Sequence, residues 1–166
     1  MDNTEELFPI VDEMGNITGC IKRKDAHSGS KILHPVVHLH VFDVKGNIYL
    51  QKRPEWKDIQ PGKWDTACGG HVNIGENIRT ALIREAKEEL NIENFEIKEH
   101  GNYVFESQCE RELVYVHSTT FNGKINPNIE ELAEGRFWSR EEIISNYNNN
   151  VFTPNFENEY KKYFDN

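Results

Sequence analysis

One segment constrains this chain more than any other. Residues 77–90 contain no glycine or proline and many strong helix formers, yet a helix drawn there carries glutamates on its apolar side. At about 100° per residue, Ile78, Leu82, Ala86 and Leu90 form one apolar stripe, with Ala81 at its edge. Measured from Ile78, Glu85 falls at roughly −20° and Glu89 at roughly +20°, inside the stripe, while Glu88 falls near −80°. Carboxylates placed beside apolar surface are costly unless they are paired or bind a cation. The i, i+3, i+4 spacing aims all three at one small volume, where mutual repulsion adds to the cost. A solvated surface helix would put its charges opposite the stripe. A hard divalent cation with oxygen ligands removes the penalty instead, and Mg²⁺ or Mn²⁺ fits that donor set.

The elements around this helix read as one mixed α and β domain spanning residues 1–166. Leu7 to Val11 and Ile17 to Ile21 flank Met14-Gly15-Asn16, which predicts an N-terminal hairpin over about residues 7–22. Val36 to Val44 and Ile48 to Leu50 flank Lys45-Gly46-Asn47 and predict a second. Asp58 to His71 holds Pro61, Gly62, Gly69 and Gly70 and reads as an irregular loop leading into the helix. Strand-like runs follow at Phe95 to Phe105 and Leu113 to Phe121. Ser139 with Glu142 forms a capping box, and a last helix is expected after Pro154. The expected fold class is α/β (α+β): an α/β/α sandwich with a mixed β-sheet between helices.

Reading from Gly70, the sequence runs Gly70-x5-Glu76-x7-Arg84-Glu85-Ala86-x-Glu88-Glu89-x-Asn91-Ile92. This 70–92 segment resembles the Nudix box, G-x5-E-x7-R-E-U-x-E-E-x-G-U. One position departs: the late glycine is Asn91, which tolerates the left-handed backbone a helix C-cap needs. The resemblance implies a divalent-metal-dependent hydrolase of a diphosphate (pyrophosphate) linkage in a nucleoside diphosphate derivative or similar small phosphorylated metabolite. By position, Glu85, Glu88 and Glu89 match the family's metal-binding and catalytic glutamates, and the Gly70 carbonyl its frequent companion. Glu76 and Arg84 match the pair that braces the loop against the helix.

The flanks resemble the isopentenyl diphosphate isomerase-like branch of that superfamily, through His34-Pro35-Val36-Val37-His38, Gln51-Lys52-Arg53, Lys57, Pro61-Gly62-x-Trp64-Asp65 and Gly70-His71. Isomerases of this branch hold a metal with three histidines and two glutamates, and His27, His34, His71, Glu110 and Glu112 stand where those ligands would be. The resemblance makes Glu112 the first candidate for a further metal ligand or the general base, with Glu110 next and Glu131 as a loop-borne alternative. Two departures weigh against isomerisation. The isomerase's catalytic cysteine immediately precedes its Gly-His pair, whereas here that place is Gly69 and Cys68 comes one residue earlier. The box also keeps Arg84-Glu85 and Glu88-Glu89 intact. Hydrolase is therefore the leading reading, with isomerase and a catalytically inactive ligand-binding domain as alternatives.

Charge narrows the partners. With 19 basic and 28 acidic side chains, the net charge of −9 disfavours nucleic acid polymers and anionic membranes. A small diphosphate would need local positive charge, and Lys52, Arg53 and Lys57 are the candidate clamp. Trp64 and Trp138 read as core. Three cysteines and an acidic start lead to the expectation of a reducing, cytoplasmic setting, and a homodimer stays open.

Overall fold

A computed structural model describes residues 4–130 and 133–166 of the chain. Strands β1 (Leu7–Val11) and β2 (Ile17–Lys22) form the N-terminal hairpin, and a short helix, α1 (Arg23–Ala26), follows within the polar stretch. Its turn is closed by Asp12, which accepts hydrogen bonds from the backbone amides of Met14 and Asn16 at 3.0 and 2.9 Å, with Gly15 at φ +86°. The same chemistry closes the turn between β3 (Leu33–Phe42) and β4 (Ile48–Lys52). There Asp43 accepts from Lys45 and Asn47, and Gly46 has φ +86°. An Asp-x-x-Gly-Asn sequence thus specifies both turns through an acceptor side chain and one glycine free to take positive φ.

The main sheet is mixed and seven-stranded. On one side β3 runs parallel to β8 (Arg111–Thr120) along its whole length, and β8 pairs antiparallel with β7 (Lys98–Glu106). The other side of β3 is divided. Val41 and Phe42 pair with β4, whereas Val36 to Leu39 pair with β6 (Cys68–His71). Beyond that fork β4 diverges to pair with β5 (Trp64–Thr66) and β9 (Glu134–Trp138). A cleft opens between the two branches. The expected irregular loop over 58–71 is thereby corrected: its second half is two short strands. Their glycines carry no strand propensity, and pairing with β3 and β4 supplies the order that local sequence does not.

Helix α2 (Ile78–Leu90) buries Ala81, Leu82, Ala86 and Leu90 on one face of the sheet, against Val37, Leu39, Val41 and Cys68. Asn77 caps its start by accepting from Thr80 N, and Asn91 ends it at φ 54°, ψ 37°, the left-handed conformation expected of an Asn at that place. Helices α3 (Arg140–Ser145) and α4 (Pro154–Tyr163) cover the opposite face with Ile143, Phe156 and Tyr160 packed on Trp64 and Trp138. The capping box of Ser139 and Glu142 is formed. The architecture is the α/β/α arrangement with a mixed sheet. No helix among the described residues is long and apolar enough to cross a membrane.

Candidate active site

The glutamates inside the apolar stripe of α2 meet β6. Glu85 packs so closely on Gly70 that an added Cβ there would lie 2.1 Å from its carboxyl carbon. Glu89 Oε2 stands 3.4 Å from the Gly69 amide nitrogen. Arg84 organises the group. Its Nε and Nη2 donate to the two Glu76 oxygens at 2.7 and 3.0 Å, Nη2 also donates to the His71 carbonyl at 2.9 Å, and Nη1 donates to Glu85 at 2.8 Å. Glu88, with a side chain 58% exposed, reaches Arg84 at 3.3 Å. The hydrogen bonds from Arg84 hold the Glu76 carboxyl below the usual range. Arg84→Ala should cost about 2 kcal/mol in urea unfolding, because it removes the guanidinium that pairs with the half-buried Glu76 and Glu85. A loss below about 0.5 kcal/mol would contradict that bracing role.

A second donor set lies beside the first. His27, His34, His71 and Glu110 bring their ligand atoms within 4.8 Å of one another. His27 Nε2 is 3.1 Å from both His71 Nε2 and Glu110 Oε2. His34 is completely buried, and its Nδ1 donates to the Ile32 carbonyl at 3.0 Å. That bond leaves the lone pair on Nε2, a buried atom with no hydrogen-bond partner among the described residues, directed at the group. Burial, then neighbouring positive groups, holds His71 well below its ordinary value, which keeps its lone pair available. Phe8 of the hairpin stacks on His71 at 4.4 Å. Glu112, in register with His34 on β8, is pushed well up by burial and by its hydrogen bond to Glu110. An orphaned imidazole nitrogen beside two further imidazoles, with two crowded carboxyls, is the donor chemistry of a Mn²⁺, Fe²⁺ or Zn²⁺ site. His27, which local sequence alone supports least, is at the centre of the group. Glu131 lies outside the described residues.

Glu85, Glu88 and Glu89, and from the second set His27, His71 and Glu110 with Glu112, line one cleft of about 870 Å³. Arg53 and Lys57 line it as expected, Arg53 with its Nη1 3.6 Å from Asp65 and Lys57 with its ammonium 4.9 Å from the Trp56 ring. Lys52 does not line it. Strand alternation turns Gln51 into the cleft and Lys52 to the other face of β4, so the expected three-residue clamp is corrected to two. Trp64 and Trp138 are buried and packed edge to face, while Trp56, 70% exposed, is the aromatic at the cleft. Only the loop conformation reveals that. Cys68 is fully buried in the core beneath α2, where burial and the neighbouring Glu89 push its thiol well up.

Sequence reading also missed Glu159 of α4. It is 1% exposed and accepts from His38 Nδ1 at 2.7 Å, His40 Nε2 at 2.9 Å and Tyr103 Oη at 2.6 Å. Burial disfavours a proton on His38, but the Glu159 charge and hydrogen bond outweigh it and raise the imidazole to about 9. Burial likewise opposes ionisation of Glu159, and the charge and hydrogen bonds of His38 and His40 overcome it, holding the carboxyl below its usual range. Asp65 and Glu112 also face His38. The raised imidazole contributes stability that is complete below its ordinary 6.5 and lost as pH rises through about 9. The depressed carboxyl contributes above its ordinary 4.5 and loses that on acidification. His34 and His71, both lowered, titrate in the opposite sense, so the difference between wild type and Glu159→Gln isolates the pair. That stability difference should shrink as pH rises from 6.5 through 9; a pH-independent difference would contradict the pairing.

With the geometry in view, comparison with known proteins is direct. The NUDIX domain family model matches residues 32–159. The chain therefore belongs to the Nudix family. An uncharacterized Nudix hydrolase of Yersinia pestis is 35% identical over 149 residues, covering 90% of this chain and 80% of that protein. Isopentenyl-diphosphate Delta-isomerase 1 of Photorhabdus laumondii is 29% identical over 166 residues, with 93% of each chain covered. DR0079 of Deinococcus radiodurans shares the fold, with a TM-score of 0.80 at 20% identity over 96% of this chain and 99% of that one.

Proposed function

We propose that this Nudix protein is a metal-dependent hydrolase that cleaves the diphosphate linkage of a nucleoside diphosphate derivative or a similarly small phosphorylated metabolite. The observation that carries the reading is the convergence of the box carboxylates, the glycine pair and the cations Arg53 and Lys57 on one cleft. The Gly70 carbonyl with Glu85, Glu88 and Glu89 would hold Mg²⁺ or Mn²⁺, and His27, His34, His71, Glu110 and Glu112 form the second donor set. A bound cation there supplies charge neutralisation of the diphosphate and a more acidic water. Arg53 and Lys57 bind the phosphate oxygens and orient the anhydride. Glu112, ionised by a cation in the adjoining donor set, takes a proton from the attacking water on a carboxylate oxygen. The water oxygen bonds to phosphorus, the anhydride P–O bond breaks, and the second phosphate leaves. The hairpin contributes Phe8 and the last helix Glu159, which supports residues 1–166 acting as a single domain.

A second reading, isomerisation of isopentenyl diphosphate, draws on the histidine and glutamate cluster and on the isomerase relative. Against it stands Cys68, which faces the core beneath α2 while Gly69 takes the position preceding Gly70-His71. Protonating an alkene needs a positioned acid, and Cys68 does not line this cleft; the thiol that does among the described residues, Cys109, sits on the exposed turn between β7 and β8 and not on β6 with the Gly70-His71 pair. The test is anhydride cleavage, read as phosphate, pyrophosphate or phosphomonoester products, of nucleoside di- and triphosphates, nucleotide sugars and dinucleotides with Mg²⁺, beside deuterium exchange into isopentenyl diphosphate. Metal-dependent cleavage is expected. Deuterium exchange without cleavage of any of these would overturn the hydrolase reading.

A further inference from the structure

A buried carboxylate under a cleft needs a reason. Replacing a buried ionic cluster with apolar side chains is commonly neutral or stabilising, so Glu159 is poorly explained by stability alone. Its three donors come from β3 and β7, and one of them, His38, is the residue through which the network reaches the cleft. The position of the compensating proton follows from geometry. His40 Nδ1 is buried with no hydrogen-bond partner among the described residues, so a proton there would be unsatisfied. The charge of Glu159 is therefore matched on His38, whose Nδ1 donates to it. A second proton then sits on His38 Nε2, at the opposite edge of the ring. That edge faces Gly69, where an added Cβ would stand 3.5 Å from Nε2 and 3.2 Å from Cδ2. His38 and Gly69 both line the cleft, and among the described residues Nε2 has no hydrogen-bond partner. A donor is thus held at the cleft floor, between the two carboxylate sets.

We propose that His38 Nε2–H donates to a phosphate oxygen of the substrate, and that Glu159 is the positioning residue that fixes the ring from behind. The inference rests on the diphosphate reading above and extends it with a third cationic contact, approached from the α4 side of the sheet. Most of the charge lining this cleft is acidic, with Glu85, Glu88, Glu89, Glu110, Glu112 and Asp65 among it. A fixed imidazolium there gives a diphosphate a directional partner that a flexible lysine does not.

The test uses the full chain with Mg²⁺ and imidodiphosphate, a hydrolysis-resistant diphosphate. In long-range ¹H–¹⁵N spectra assigned with His38→Gln, imidodiphosphate should shift the His38 Nε2 resonance and leave Nδ1 nearly in place. By calorimetry, His38→Gln and Glu159→Gln should each weaken imidodiphosphate binding about tenfold. If wild type binds but Nε2 does not move, His38 is no contact and this inference alone falls. The spectrum of the unmodified protein decides this even if a variant fails to fold. If wild type does not bind Mg²⁺–imidodiphosphate at millimolar concentration, the diphosphate reading falls with it.

Discussion

Glu89→Gln is expected to lower kcat for phosphate release by about three orders of magnitude while leaving the thermal midpoint unchanged or slightly higher. The substitution keeps the side chain's shape, so the packing of α2 on the sheet is preserved. It removes one negative charge from a place where Glu85, Glu88 and Glu89 crowd together and where Cys68 is already hydrogen-bonded to the carboxylate. Relief of repulsion offsets whatever the carboxylate contributed to folding. Activity depends on that same repulsion, because a carboxylate cluster that is costly without a cation is a strong ligand for one. Steady-state kinetics and a melting curve on the same preparation check both halves. Activity within about tenfold of wild type would remove Glu89 from the catalytic group.

Gly70→Ala should be nearly as damaging to activity, by a different route. The new methyl group would stand 2.1 Å from Glu85 Cδ and 2.3 and 2.5 Å from its oxygens, well inside contact distance. The glycine's own backbone is undemanding, and its pairing with Val37 of β3 uses main-chain atoms only. Strain therefore falls on the end of the Glu85 side chain, which swings away and loses its 2.8 Å hydrogen bond from Arg84. A stability loss of about 1 kcal/mol and a fall in kcat/KM of about a hundredfold are expected. Mn²⁺ titration followed by electron paramagnetic resonance should show weaker binding. Unaltered Mn²⁺ affinity in a folded variant would show that the contact between Gly70 and Glu85 is not part of the metal site.

Much of this was legible before any fold was drawn. The helix over residues 77–90, the fitness of Asn91 for its C-cap and the two Gly-Asn turns are local, since each follows from propensity, periodicity and turn chemistry within a few residues. Glu85 and Glu89 on the apolar side of α2 were visible from angle alone. The strands of residues 64–71 were not, because their pairing energy comes from β3 and β4. Lys52 was misplaced because proximity in sequence to Arg53 says nothing about facing when alternation turns neighbours to opposite sides.

The amino-acid sequence by itself determined which side chains are charged against their surroundings, and so what chemistry the chain can support. Glu85 and Glu89 on the apolar side of a helix, with Glu88 beside them, call for a cation or a pairing partner wherever that helix packs. Tertiary structure alone decided who shares the cleft. The fork at β3 sets β6 apart from β4 and opens the space between them. Packing of α4 on the far face then brings Glu159 to His38 across 121 residues of chain. Such contacts are made by sheet pairing and layer packing, whose partners lie far apart in sequence and leave no local periodicity to read.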